Sequence, residues 1–196
     1  FFNDGIFKQI KVPRNDGTGL ADYLLSGTYI KSIKVDGANR KWVGTNDNGL
    51  YLISADGLET IHHFTTENSP LPSDCIESIA INGKSGEVFI GTDKGMASYM
   101  SDATRAEEKL DENNVYAYPN PVKADYSGVI SIVGLTAGCN VKIVDSAGFL
   151  MNEGTSQGGK YNWNGRNRSG EKVASGVYYV LTYDSNGDEG VTTKIL

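Results

Sequence analysis

Ile30-Lys31-Ser32-Ile33-Lys34-Val35-Asp36-Gly37 returns 46 residues later as Ile76-Glu77-Ser78-Ile79-Ala80-Ile81-Asn82-Gly83. The echo continues downstream: Trp42-Val43-Gly44-Thr45 becomes Phe89-Ile90-Gly91-Thr92, and Gly49-Leu50 becomes Gly95-Met96. Each copy reads as an apolar strand, a glycine turn, a second apolar strand ending in Gly-Thr, a polar turn and a third strand, Leu50 to Ser54 in one and Met96 to Ser101 in the other. A period of about 40 to 50 residues among short strands is the signature of β-propeller blades. The first copy runs on through Asp56-Gly57-Leu58 into a fourth strand, Thr60 to Phe64. Asp4-Gly5-Ile6 leads in the same way into Phe7 to Val12, so 1–12 reads as the tail of a preceding blade. No fourth strand follows Asp102. Propellers end this way when the last blade takes its outer strand from the beginning of the chain, which hides the sheet edges. Residues 1–102 are therefore expected to be the last two and a half four-stranded blades of a longer propeller, too short to close on themselves.

Ala103 to Asn114 is charged and free of Gly and Pro, and reads as a linker, either a short helical turn or an extended tether. From Val115 a second all-β unit begins. Apolar segments at Val115–Tyr118, Val129–Val133, Val141–Asp145, Phe149–Glu153, Tyr161–Trp163, Val177–Tyr183 and Val191–Leu196 are separated by turns bearing Gly, Asn or Ser. About seven strands in this length is the count of an immunoglobulin-like sandwich, with Trp163 as the core anchor.

Composition agrees with an all-β reading. The 196 residues include 24 Gly and 11 Tyr, and little helical periodicity. Eighteen Lys and Arg against 24 Asp and Glu give a net charge of −6 with no basic block, which argues against nucleic acid as a partner. The longest apolar run, Val177 to Leu181, is far short of the roughly 20 residues of a transmembrane helix. Phe1-Phe2-Asn3 carries no leader, so any targeting segment is expected to lie outside this sequence. Cys75 and Cys139 have neither close spacing nor a CxxC motif and read as two small buried hydrophobes.

The repeats resemble the two-component-regulator propeller repeat of Bacteroidetes sensors and surface proteins. Leu71-Pro72-Ser73-Asp74, Ile79-Ala80-Ile81, Phe89-Ile90-Gly91-Thr92 and Trp42-Val43-Gly44-Thr45 carry the likeness over most of 25–100. Residues 115–196 resemble the FlgD-like fold shared by type IX secretion sorting domains. The matching stretches are Tyr118-Pro119-Asn120-Pro121, Val144-Asp145-Ser146-Ala147-Gly148, Trp163-Asn164-Gly165, Ser175-Gly176-Val177-Tyr178 and Lys194-Ile195-Leu196. Asn164 and Asn167 stand where that family commonly has Asp. The order of the two parts is similar to that of the cell-surface accessories of type IX secretion. It implies a non-enzymatic scaffold on the cell surface or outer membrane that recognises surface glycan or secretion-machinery proteins. Two alternatives stay open: a periplasmic oligosaccharide-sensing domain of a hybrid two-component system, and the propeller and sorting tag of a secreted enzyme.

The residues nominate few chemical sites. His62 and His63 are adjacent in a strand, point to opposite faces and cannot chelate one ion together. Asp184-Ser185-Asn186-Gly187-Asp188-Glu189-Gly190 starts like a calcium loop but has Glu189 where the sharp turn wants Gly, so Asn186-Gly187 reads as a hairpin turn. Asp145-Ser146-Ala147 matches a short O-glycosylation sequon and also reads as a turn. No catalytic pair, cofactor or metal is expected. The ligand-binding candidates are Tyr161, Asn164, Arg166 and Arg168. A tyrosine face packs on the apolar face of a sugar, Asn hydrogen-bonds its hydroxyls, and guanidinium groups fork onto an anionic substituent.

Overall fold

The computed structural model describes residues 9–14, 17–187 and 190–196, and every regular element among them is a β-strand. The chain divides into two compact units, Phe1–Asn82 with Glu87–Met100, and Gly83–Gly86 with Ser101–Leu196.

In the first unit β1 (Lys11–Pro13) pairs antiparallel with β2 (Ala21–Tyr23), a strand the sequence reading did not anticipate. The proposed lead-in from Asp4 to Lys8 lies outside the described residues. A four-stranded antiparallel meander follows: β3 (Ile30–Val35), β4 (Lys41–Thr45), β5 (Leu50–Ile53) and β6 (Thr60–Phe64). Next come three strands in the same order, β7 (Ile76–Ile81), β8 (Glu87–Thr92) and β9 (Gly95–Met100). The repeat extends to its irregularities. The register shifts between Ile30 and Ser32 against β4, and between Ile76 and Ser78 against β8.

Alternation along the strands sets how these two sheets meet. Trp42, Leu50 and Leu52 share one face, which packs on Ile76, Ile79, Val88 and Ile90 of the next sheet. Val43, Tyr51 and Ile53 take the other face and pack with Leu24 and Leu25. β5 is thus covered on both sides and reads Leu-Tyr-Leu-Ile without a polar residue. The sheets approach so closely at Gly44 that a Cβ there would sit 2.5 Å from Ile76 Cγ2. Phe89 holds the register position of Trp42 but is only half-buried, because Val88 and Ile90 fill the shared core and Phe89 faces the opposite way.

In the second unit β10 (Tyr116–Tyr118), β11 (Ile130–Val133), β12 (Asn140–Asp145), β13 (Leu150–Thr155), β14 (Lys160–Trp163), β15 (Tyr178–Tyr183) and β16 (Gly190–Ile195) match the seven anticipated strands within a residue or two. They form two sheets, in orders β10-β11-β14 and β13-β12-β15-β16. One core joins them: Ala117, Ile130, Ile132 and Trp163 from the first sheet meet Val141, Ile143, Val180 and Ile195 from the second. Trp163 lies edge-on to Tyr178, ring centroids 5.4 Å apart.

Residues 103–114 run extended along this unit. Thr104 bridges Gly158, Glu107 bridges Thr136, and Leu110 is buried in the core. An Asp111 turn closes the segment: its carboxylate accepts from the backbone and side-chain nitrogens of Asn113, which hold it below the usual carboxylate range. The Tyr118–Pro119 and Asn120–Pro121 peptides are cis. Between the prolines, Asn120 donates to the Lys194 carbonyl at 2.9 Å and accepts from the Leu196 N–H at 3.0 Å, tying down the end of β16. Asn120→Ala should remove both bonds at a cost of roughly 1–2 kcal/mol. The check is amide hydrogen exchange, in which the Leu196 N–H should lose protection while the Val180 N–H in the sheet centre keeps it.

Candidate functional site

The four residues nominated from sequence sit on or just after β14. Tyr161 points to the same face as Trp163, packs against the sandwich core and donates its hydroxyl to Asn152 on β13. Its ring lies over Gly154, where a Cβ would fall 2.8 Å from the ring, and burial pushes its phenol up. Asn164 Oδ1 accepts from the Arg166 N–H at 3.1 Å, and the Arg166 guanidinium donates to the Gly170 carbonyl at 2.7 Å. Trp163 Nε1 donates to the Arg166 carbonyl at 2.8 Å, so the loop is tied to the core tryptophan. Arg168 projects into solvent 3.9 Å from Glu153. Asn164 and Arg166 therefore share one compact turn, Arg168 stands apart beside β13, and Tyr161 belongs to the sandwich interior rather than to the turn.

The other motifs resolve into structure. His62 and His63 do face opposite ways: His63 stacks on Tyr51 at 4.0 Å, whereas His62 meets Phe64 and Tyr99. The Asp145 carboxylate accepts from the N–H groups of Ala147 and Phe149, an Asx turn completed by Gly148 at φ +86°. Gly187 at φ +82° bonds back to the Asp184 carbonyl, the turn expected of Asn186-Gly187; Asp188 and Glu189 lie outside the described residues.

A surface that sequence reading missed is better supplied with free contact groups. Tyr116 and Tyr118 are both exposed on the outward face of β10, ring centroids 6.2 Å apart, with buried Ala117 between them. They border an open groove of about 500 Å3 with Thr104, Arg105, Glu107, Asn114 and Val133. Gly134, at φ +78°, makes the groove's shape possible: a Cβ there would lie 2.2 Å from the Asn114 carbonyl oxygen that precedes β10. The Arg105 backbone N–H is spent on the Gly83 carbonyl at 2.7 Å, while its exposed guanidinium has no hydrogen-bond or ion-pair partner among the described residues. Two adjacent aromatic faces beside a guanidinium, a carboxylate and an amide form a surface able to stack on a sugar ring and bond its hydroxyls. The legible signal was the period-2 pattern Tyr116-Ala117-Tyr118, which places both rings on one face of a strand.

No protein-family model and no curated protein matches the sequence. Among solved structures, one from Porphyromonas gingivalis aligns with 96% of this chain at 35% identity and a TM-score of 0.60. The chain is similar to PorZ. PorZ is described as an essential bacterial surface component of the type IX secretion system of that organism, and the present chain spans 25% of its length. Extracellular domains of two putative hybrid two-component systems of B. thetaiotaomicron, BT4673 and BT3049, align with 92% and 85% of the chain at 15% and 18% identity. Their TM-scores are 0.32 and 0.35, and the chain covers 27% and 23% of them. The likeness to PorZ supports the relationship to type IX surface proteins read from the blade repeats and from Tyr118-Pro119-Asn120-Pro121.

Proposed function

We propose that this chain is a non-enzymatic binding and assembly module of the type IX secretion apparatus, acting at the cell surface or outer membrane. The observation that carries this is the 35% identity to PorZ across both units. In this reading the meanders β3–β6 and β7–β9 are terminal blades of a propeller, and the β10–β16 sandwich is an FlgD-like domain. The aromatic groove at Tyr116 and Tyr118 recognises surface glycan, with the turn of Asn164 and Arg166 and the neighbouring Arg168 as a second, weaker contact. Tyrosine faces lose little conformational entropy on binding and bury a large apolar area, so they dominate such a surface. The guanidinium of Arg105 adds preference for anionic sugars.

The test is calorimetric or surface-plasmon titration of the full chain with a purified anionic bacterial surface polysaccharide. Tyr116→Ala with Tyr118→Ala should weaken binding about tenfold or more, the equivalent of roughly 1.4 kcal/mol. Arg166→Ala with Arg168→Ala should weaken it far less, because Arg166 is already engaged by Gly170. Binding that survives the tyrosine pair but not the arginine pair would move the site to the turn. Absence of binding by the unaltered chain removes glycan recognition from this part of the protein.

A further inference from the structure

Lys31 and Glu77 occupy equivalent positions in the two repeats, each at the bulge of the first strand of its sheet. A bulge re-aims its side chain out of the regular alternation. Here the two re-aimed side chains meet, Lys31 Nζ to Glu77 Oε1 at 2.5 Å, and Cys75 closes the triangle. Lys31 Nζ donates to Cys75 Sγ at 3.4 Å, and Sγ donates to Glu77 Oε1 at 3.3 Å. Both cysteines are free, but their settings differ. Cys139 is fully buried and its thiol is pushed up by desolvation, whereas Cys75 is half-buried, within reach of a small solute, and touches a cation and a proton acceptor at once.

We propose that Cys75 is a peroxide-reactive thiol whose oxidation joins it covalently to Lys31. The thiol proton passes to the Glu77 carboxylate, and the Lys31 ammonium stabilises the thiolate. The thiolate attacks one oxygen of a hydroperoxide such as hydrogen peroxide. An S–O bond forms, the O–O bond breaks, and the departing hydroxide takes the proton held by Glu77 to leave as water. Sulfur is now sulfenic acid, and Lys31 frees its amine by passing one proton to the Glu77 carboxylate 2.5 Å away. The amine attacks Sγ, an N–S bond forms, and the S–O bond breaks. Protonated Glu77 supplies the proton for the second water, and the nitrogen releases its surplus proton to solvent. Besides that proton, Cys75 and Lys31 have together lost two protons and two electrons, and one peroxide has become two waters. The link ties β3 to β7 across 44 residues of chain and so restrains the unfolded state.

The experiment exposes the full chain to hydrogen peroxide and follows it by intact mass and by mass spectrometry of tryptic peptides. The expected product is a Lys31 peptide joined to a Cys75 peptide, lighter than the two together by two hydrogens, reversed by a thiol reductant, with a raised Tm while the link stands. Lys31→Arg keeps the cation and the ion pair but removes the amine. It should yield no joined peptide and instead accumulate sulfenic acid that a cyclic diketone traps. Cys75→Ser should give neither product. Separate Lys31 and Cys75 peptides from the unaltered chain, with Cys75 oxidised to sulfenic or sulfinic acid, would overturn the proposal. So would Cys75 remaining a thiol under conditions that oxidise Cys139.

Discussion

Trp42→Ala should destabilise the first unit by roughly 3–5 kcal/mol and leave the second unit untouched. Trp42 is fully buried, stacks with Phe64 at 6.3 Å, meets Tyr99 at 5.7 Å, and stands in the core shared by the two meanders. No neighbour can collapse into its place cheaply, because Gly44 beside it already brings the sheets into contact through Ile76. A loss of this size is a large fraction of the stability of a domain, typically about 5–15 kcal/mol. The chain has two tryptophans, one in each unit, so the variant retains Trp163 as a private reporter on the sandwich. In a denaturant titration the Trp163 fluorescence transition should stay at its original midpoint. The circular-dichroism signal should gain an earlier step that belongs to the first unit. A single transition at the unaltered midpoint by both probes would show that Trp42 does not anchor that core.

Strand positions were legible because the two periodicities they rest on are local. Alternation in Val141–Asp145 or Tyr178–Tyr183 is written in adjacent residues, and the repeat of Ile30–Gly37 as Ile76–Gly83 fixes register between copies. What was not legible depends on which sheet a face finds. Trp42 and Phe89 stand in the same aromatic–aliphatic–Gly-Thr pattern and the same register, yet one is sealed and the other half-exposed, because only Trp42's face has the next meander packed on it. The pairing of β1 with β2 was missed for a similar reason. Lys11–Pro13 and Ala21–Tyr23 are short, mostly exposed strands with no apolar alternation to announce them.

The candidate site followed the same division. Polar residue types after Trp163 suited a ligand, but whether they are free depends on hydrogen bonds that composition does not encode. Asn167 is the clearest instance: its side chain accepts from the N–H groups of Ser169 and Glu171 and donates to the Glu171 carboxylate, so its polarity builds the turn. Arg105 shows the reverse. It sits in a charged stretch read as a tether, yet the parallel bridges of Thr104 and Glu107 hold that stretch in place and set the guanidinium beside Tyr116 and Tyr118.

Asp36→Ala should cost roughly 3–5 kcal/mol, the size expected when one partner of a buried ion pair is removed. Its carboxylate accepts from the N–H groups of Ala38 and Arg40, both at 3.0 Å, from Arg40 Nε and Nη2 at 2.9 Å, and from Trp42 Nε1 at 3.3 Å. The side chains of Asp36 and Arg40 are 1% and 7% exposed. Alanine at this position takes the Asp36 carboxylate away from the buried Arg40 guanidinium, from two turn amides and from the indole N–H of the core tryptophan. The ion pair dominates this loss, which has its own test. Arg40→Ala combined with Asp36→Ala should cost clearly less than the sum of the two single variants, since each single variant already removes the ion pair that the two side chains share. The exposed pair Arg14–Asp22 is the control: although its closest contact is 2.6 Å, solvent screens it, and Asp22→Ala should hardly move the denaturation midpoint. Strict additivity between Asp36 and Arg40 would show that the turn amides, and not the ion pair, hold this hairpin together.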